Sequence, residues 1–384
     1  MKVFHCDHCH KPVFFENTQC VSCGHVLAYL PDFAEIGSLE PAGGVWFTSP
    51  LPDAKGRRYR LCRNYVESEV CNWTVTEDEG EQDLCRACRL TRLIPDLGVE
   101  GHRDAWYRME VAKRRLLYSL YALGLPVIEK ASDPSGIAFE FLADPPDPAA
   151  PRVLTGHDGG VIRINLAEAD DAEREQRRKS LNEPYRTLLG HFRHEIGHYY
   201  WDRLIAGSDR LEDFRRLFGD ERRNYDEALQ TYYQHGAPVD WPVHFVSAYS
   251  SSHAWEDWAE TWAHYLHMED TIETAAACGL SLRPAHQDEP SLPTMRTQTQ
   301  GAAPFDQMIS RWFPITYILN HLNRGMGLAD GYPFVLSSEA IEKLRFVHDT
   351  IAHHRGQAPG VETLHVDALR IRRAPVTAPS VRTR

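Results

Sequence analysis

The sequence predicts an α+β protein with a small β-rich amino-terminal module, clasped by two groups of four cysteines. A mainly helical body with a small antiparallel sheet follows. Three observations carry this. Of the nine cysteines, all but Cys278 lie before residue 89. The first 95 residues are rich in Cys, Gly and Pro and hold only short β-like runs. From residue 101 the apolar residues recur at helical spacing. The chain therefore divides into a module over 1–97, a body over 98–355 and a tail over 356–384, the tail expected to be partly disordered.

At 384 residues the chain is long enough for roughly two to three domains of ~100–200 residues. Hydrophobic residues make up 42% and charged residues 25%, ordinary values for a globular protein. No apolar run reaches the ~18 residues of a membrane span. The start, MKVFHCDHCH, has no apolar leader, so the expected location is the cytoplasm. The formal net charge of −12 argues against unspecific binding to nucleic acid.

The first cysteine group is Cys6-x2-Cys9 followed by Cys20-x2-Cys23. Two CxxC pairs aim four thiolates at one point, the tetrahedral set that suits a structural zinc. His5, His8, His10 and His25 stand close enough in sequence to replace a thiolate, but four cysteines make the simpler set. The second group, Cys62, Cys71, Cys85 and Cys88, has one CxxC and a weaker signature. Both would be closed structural sites, and spacing alone does not separate zinc from iron. Residues 1–100 hold 10 Lys/Arg and 15 Asp/Glu, and ionised thiolates add to the negative balance. A protein partner suits such a module better than a nucleic acid. In a reducing compartment clustered cysteines bind metal rather than pair as disulfides.

In the body, Trp106, Val111, Leu116, Leu117 and Leu120 place a helix over 101–123, stopped by Gly124 and Pro126. Ile137–Leu142 and Val161–Leu166 read as strands of the small antiparallel sheet. Helices are expected at 185–205, 209–218, 224–235, 253–276, 304–324 and 338–354, with a loop over 281–303. Cys278 reads as a small buried apolar residue.

The first of these later helices contains His194-Glu195-Ile196-Gly197-His198, an HExxH pattern. Its histidines are one turn apart and share a face, so both imidazoles can hold one metal. Glu195 is placed to take a proton from water. A third ligand is needed. The chain after His198 reads Tyr199-Tyr200-Trp201-Asp202, which offers no third histidine. The candidate is a carboxylate from the helix beginning His253-Ala-Trp-Glu256-Asp257-Trp-Ala-Glu260. Glu256 and Glu260 are four residues apart on one face. One can ligate while the other orients a histidine.

HExxH with a later ExxAE resembles the gluzincin class, and in particular the anthrax lethal factor family of metalloproteases. In that family a tyrosine stands seven residues before the ligand glutamate, as Tyr249 stands before Glu256. The resemblance implies zinc on His194, His198 and Glu256, Glu195 as catalytic base and Tyr249 as oxyanion donor. It also implies a zincin-like body, with Glu260 as a support behind the ligands. His253 is a further candidate support, and reads more simply as a helix-entry residue. The segments Cys71–Trp73, Cys85–Asp96 and Trp255–His267 are similar to signatures of a bacterial family of zinc-binding metallopeptidases with an N-terminal zinc ribbon. Together they lead to a zinc-dependent peptidase of peptides or proteins, holding one catalytic and two structural ions. In it Val161–Leu166 would hold the substrate extended. Two other readings stay open. The chain could be a silent or partner-activated binding module acting through the ribbon, or a zinc amidohydrolase of a non-peptide amide.

Overall fold

The computed structural model describes residues 1–147, 149–180, 187–295 and 304–357. The expected disorder of the tail lies outside them, apart from its first two residues.

The amino-terminal part is built from short strands and tight turns. β1 (Phe4–His5) pairs antiparallel with β2 (Pro12–Val13), and β3 (Leu27–Leu30) with β4 (Glu35–Ser38). β5 (Glu40–Pro41), β6 (Phe47–Thr48), β7 (Tyr59–Leu61) and β8 (Thr74–Thr76) form an antiparallel sheet in that order. A single helical turn, α1 (Arg63–Val66), follows Cys62.

β9 (Thr91–Leu93) precedes residue 97, yet it lies in the sheet of the body. There it pairs with β10 (Ala138–Leu142). The sheet order is β11 (Gly156–Asp158), β12 (Val161–Asn165), β10, β9. β10 runs parallel to both β9 and β12, and only β11 is antiparallel to its neighbour. The sheet is therefore mixed, which corrects the expected antiparallel pairing of 137–142 with 161–166. The cause is the intervening chain. It doubles back through β11 and a two-glycine turn, Gly159 and Gly160 at φ +51° and +86°, so β12 enters in the direction of β10.

The helices are α2 (His102–Ala122), α3 (Asp171–Ser180), α4 (Leu188–Leu204), α5 (Leu211–Phe218), α6 (Tyr225–His235), α7 (Trp241–His244), α8 (Ala254–Ala277), α9 (Phe305–Gly325) and α10 (Ser338–Gln357). The expected helices are present to within a few residues at each end. α3 and α7 carry no expectation in the sequence. α4 and α8 pack closely against each other at Gly197. A Cβ there would stand 3.0 Å from Ala259 Cα and 3.2 Å from Trp262 Cβ. Trp258 Nε1 donates to the Gly197 carbonyl at 2.8 Å. From the far side Lys343 of α10 donates to Asp257 Oδ2 at 2.6 Å, clamping α8.

One continuous apolar core runs from Phe4 through Trp73 and Trp106 to Trp258, Trp262 and Val347. Tyr118 of α2 meets Phe4 and Phe15 edge-on at 6.4 and 5.9 Å, and so joins the two parts. Cys278 ends α8 and is exposed, not buried as its residue type suggested. It is the cap residue just past the last turn, while Ala275 before it stays in the core.

Candidate metal centre

None of the eight module cysteines is in a disulfide, and they fall into the two expected groups. In each group the four Sγ atoms lie within 4.8 Å of one another. The neighbouring distances are 3.7 Å for Cys6–Cys23, 3.6 Å for Cys9–Cys20 and 3.7 Å for Cys71–Cys85. Backbone N–H groups turn toward sulfur, as a thiolate cage requires. Trp73 N–H donates to Cys71 Sγ and Cys85 N–H to Cys62 Sγ, both at 3.4 Å. The Cys23 N–H pulls the Cys20 thiol down to about 6. The second group is wholly buried and faces Arg114 of α2. Burial opposes the charge on Arg114, but Cys71, Glu110, Cys88 and Cys85 outweigh it. His8 and His25 stack at 3.7 Å beside Cys23, without displacing any of the four cysteines from its group.

The third cluster is His194, His198 and Glu256, all buried, again within 4.8 Å. α4 supplies the imidazoles one turn apart and α8 supplies the carboxylate in its first turn. His194 Nε2 stands 3.0 Å from Glu256 Oε2, and His198 Nε2 3.5 Å from Glu256 Oε1. His194 Nδ1 donates to Glu260 Oε1 at 2.8 Å. That bond turns Nε2 toward the trio, where a metal would replace its proton. Glu260 Oε2 accepts from Ser247 Oγ at 2.7 Å. His198 is placed by packing, its ring 3.9 Å from that of Trp255.

The electrostatics of the trio call for a cation. Burial works against charge on His194, but Glu256 and Glu260 overcome it and hold its pKa well above the ordinary value. Burial holds His198 down at about 3, so its ring is neutral. Burial pushes both carboxylates up, yet the imidazoles and hydroxyls around them hold each at about 2. Glu256 Oε2 is buried and has no aligned hydrogen-bond donor among the described residues, although His194 Nε2 is 3.0 Å away. Two imidazole nitrogens and a buried carboxylate oxygen face one another, and a metal would take the place of the proton on His194 Nε2; this is a donor set that suits zinc. The residues present fit that ion.

Glu195 is buried beside the trio, with His191 Nε2 3.5 Å from its Oε1. His191 Nδ1 in turn lies 3.7 Å from Glu168 Oε2. The Tyr249 ring stands 6.0 Å from that of His194. Burial, then Glu256, keeps its phenol protonated. His253 stands at the head of α8 and not directly behind a ligand. It caps α8, its Nδ1 accepting the Trp255 N–H at 3.1 Å and its Nε2 donating to the Arg223 carbonyl at 3.2 Å. Both ring nitrogens are engaged, so it has no donor left for an oxyanion. The simpler helix-entry reading is the one that fits.

The strand expected to hold substrate is also displaced. β12 is flanked by β11 and β10, so both its edges are taken. β11 is the outer strand, and its His157 ring lies 6.3 Å from that of His198. Tyr225, Ser247 and His157 belong to the site but carry no motif. Each touches it through a fold contact between distant segments.

Two helices holding an HExxH pair against a carboxylate, joined to a cysteine-caged module, define a class: metal-centred proteins of zinc-peptidase design. Residues 102–350 match the family described as "Putative zinc-binding metallo-peptidase", and the chain belongs to that family. Residues 3–99 match a zinc-ribbon domain. Uncharacterised proteins of Mycobacterium bovis and of two strains of Mycobacterium tuberculosis are 43% identical to this chain over 368 residues. The match covers 95% of this chain and 98% of each relative. No solved structure matches the chain. Among the described residues no helix is long and apolar enough to cross a membrane.

Proposed function

We propose that the protein is a zinc-dependent peptidase of peptides or proteins in the cytoplasm, with one catalytic ion on His194, His198 and Glu256. Two further ions in the cysteine groups would be structural. The observation that carries the reading is the facing pair His194 Nε2 and Glu256 Oε2 at 3.0 Å, with His194 Nδ1 already given to Glu260. When bound, zinc supplies a Lewis acid for the scissile carbonyl and lowers the pKa of water toward ~7.

The chain's own groups do the rest. Glu195 takes the proton of the attacking water and passes it to the leaving amine. Tyr249 donates its phenol proton in a hydrogen bond to the developing oxyanion, a contact worth ~3–4 kcal/mol in comparable sites. Glu260 holds His194 in the tautomer that keeps Nε2 unprotonated. The zinc ribbon, packed on α2, would serve as a contact for protein partners. Its acidic balance disfavours nucleic acid.

The test is a digest of a peptide library derived from a whole proteome. The wild-type protein is compared with Glu195→Gln and with chelator-treated protein. New termini are expected with the wild type alone, while Glu195→Gln retains its zinc. Equal cleavage by Glu195→Gln would remove Glu195 as the base. No cleavage by any sample, with the third zinc present, would favour the binding-module reading.

A further inference from the structure

The loop before α6 and the start of α8 are tied together twice, and one of the ties ends at the metal trio. Asn224 caps α6 by accepting the Glu227 N–H at 3.2 Å, which sets Tyr225 as the first residue of the helix. Two residues earlier in the chain, the Arg223 carbonyl accepts from His253 Nε2 at 3.2 Å. The Tyr225 ring is then flanked by His253 at 5.3 Å and Trp255 at 5.8 Å, edge-on to both. So held, its hydroxyl donates to Glu256 Oε1 at 2.6 Å.

This hydrogen bond divides the two oxygens of one carboxylate. Oε1 is occupied by a phenol. Oε2 is buried and faces His194 Nε2 at 3.0 Å, with no other donor to it among the described residues. A carboxylate free to rotate about its last torsion presents either oxygen, or both, to a cation. Pinned by Tyr225, it presents one. Hydrogen bonds to a ligand from behind are worth about 10–100-fold in metal affinity.

We propose that Tyr225 is a positioning residue of the catalytic ion: its hydroxyl holds Glu256 Oε1 and so reserves Oε2 for the metal. The proposal rests on the reading of His194, His198 and Glu256 as that ion's ligands. It assigns Tyr225 a task distinct from that of Tyr249. Tyr249 faces the substrate, whereas Tyr225 works through Glu256. His253, which tethers Arg223 and flanks the ring, acts one step further back.

The test is zinc binding by the full chain in competition with a chromophoric chelator, comparing wild type, Tyr225→Phe and Tyr249→Phe. Phe keeps the ring between His253 and Trp255, and retention of the two cysteine-bound ions reports that the variant is folded. The expected result is a loss of about 10–100-fold in affinity at the third site of Tyr225→Phe alone. Peptide cleavage by that variant should return when zinc is raised above its weakened Kd. Unchanged third-site affinity in Tyr225→Phe would overturn the proposal. So would a rate that stays low with the site full, which would move the phenol onto the reacting atoms. A wild-type chain that binds only two zinc ions would instead sink the ligand assignment itself, and this proposal with it.

Discussion

Replacing Glu260 separates what its charge does from what its hydrogen bonds do. Its carboxylate accepts two bonds: His194 Nδ1 at 2.8 Å and Ser247 Oγ at 2.7 Å. Ser247 Oγ also accepts the Ser250 N–H at 3.2 Å, so the same carboxylate steadies the turn that carries Tyr249. In Glu260→Gln the amide oxygen can still accept from His194. The amide N–H can donate to Ser247, whose hydroxyl turns round to receive it. Only the charge is lost. A hydrogen bond to a charged group is worth about 1.5–3 kcal/mol and a neutral one about 0.5–1.5. The difference of about 1 kcal/mol is about fivefold in zinc affinity. Glu260→Ala loses both bonds and leaves the His194 tautomer unspecified, so a fall of about 10–100-fold is expected. The assay is third-site zinc affinity by chelator competition, with the two cysteine sites as internal standards. Glu260→Ala binding the third ion as tightly as wild type would refute the reasoning. A Gln variant as weak as the Ala variant would show that charge, not bond geometry, is what matters.

Two further substitutions probe the frame around the site. Gly197→Ala adds a methyl 3.0 Å from the Ala259 backbone, while gaining about 1 kcal/mol of helix propensity. The two effects nearly offset, so urea denaturation should move by less than about 2 kcal/mol. Third-site zinc affinity should nevertheless fall, because α4 and α8 must part. Glu110 is fully buried and accepts from Lys113 Nζ at 2.8 Å and Thr91 Oγ1 at 2.8 Å, with Arg114 Nη1 at 3.5 Å. Glu110→Ala strands two buried cations and should destabilise the fold by about 3–5 kcal/mol in denaturant melts. An unchanged midpoint would mean that the cysteine thiolates alone neutralise Arg114.

What the sequence disclosed about this site depends on the distance over which each contact is specified. His194 and His198 are legible because a helix alone puts residues four apart on one face. The four-residue step from Glu256 to Glu260 is legible for the same reason. That Glu256 rather than Glu260 meets Nε2 is not local. It follows from the phase of α8 against α4, which Gly197 sets by letting the helices touch. In sequence Gly197 reads only as a weak spot in a helix. Tyr225 shows the limit most plainly. It reaches Glu256 across 31 positions, through a loop closed by the Arg223 carbonyl and a capping histidine. No period or spacing encodes that closure, because a backbone carbonyl carries no residue identity. The same holds for β11, three residues inside a Pro- and Gly-rich stretch, too short to alternate. It nonetheless takes the sheet edge expected of β12 and brings His157 to the ligands. Local pattern therefore reveals the atoms that would bind the ion, and tertiary closure supplies those that orient them. Variants at Glu260 and Tyr225 should accordingly change how tightly the third ion is held, leaving the two cysteine-bound ions in place.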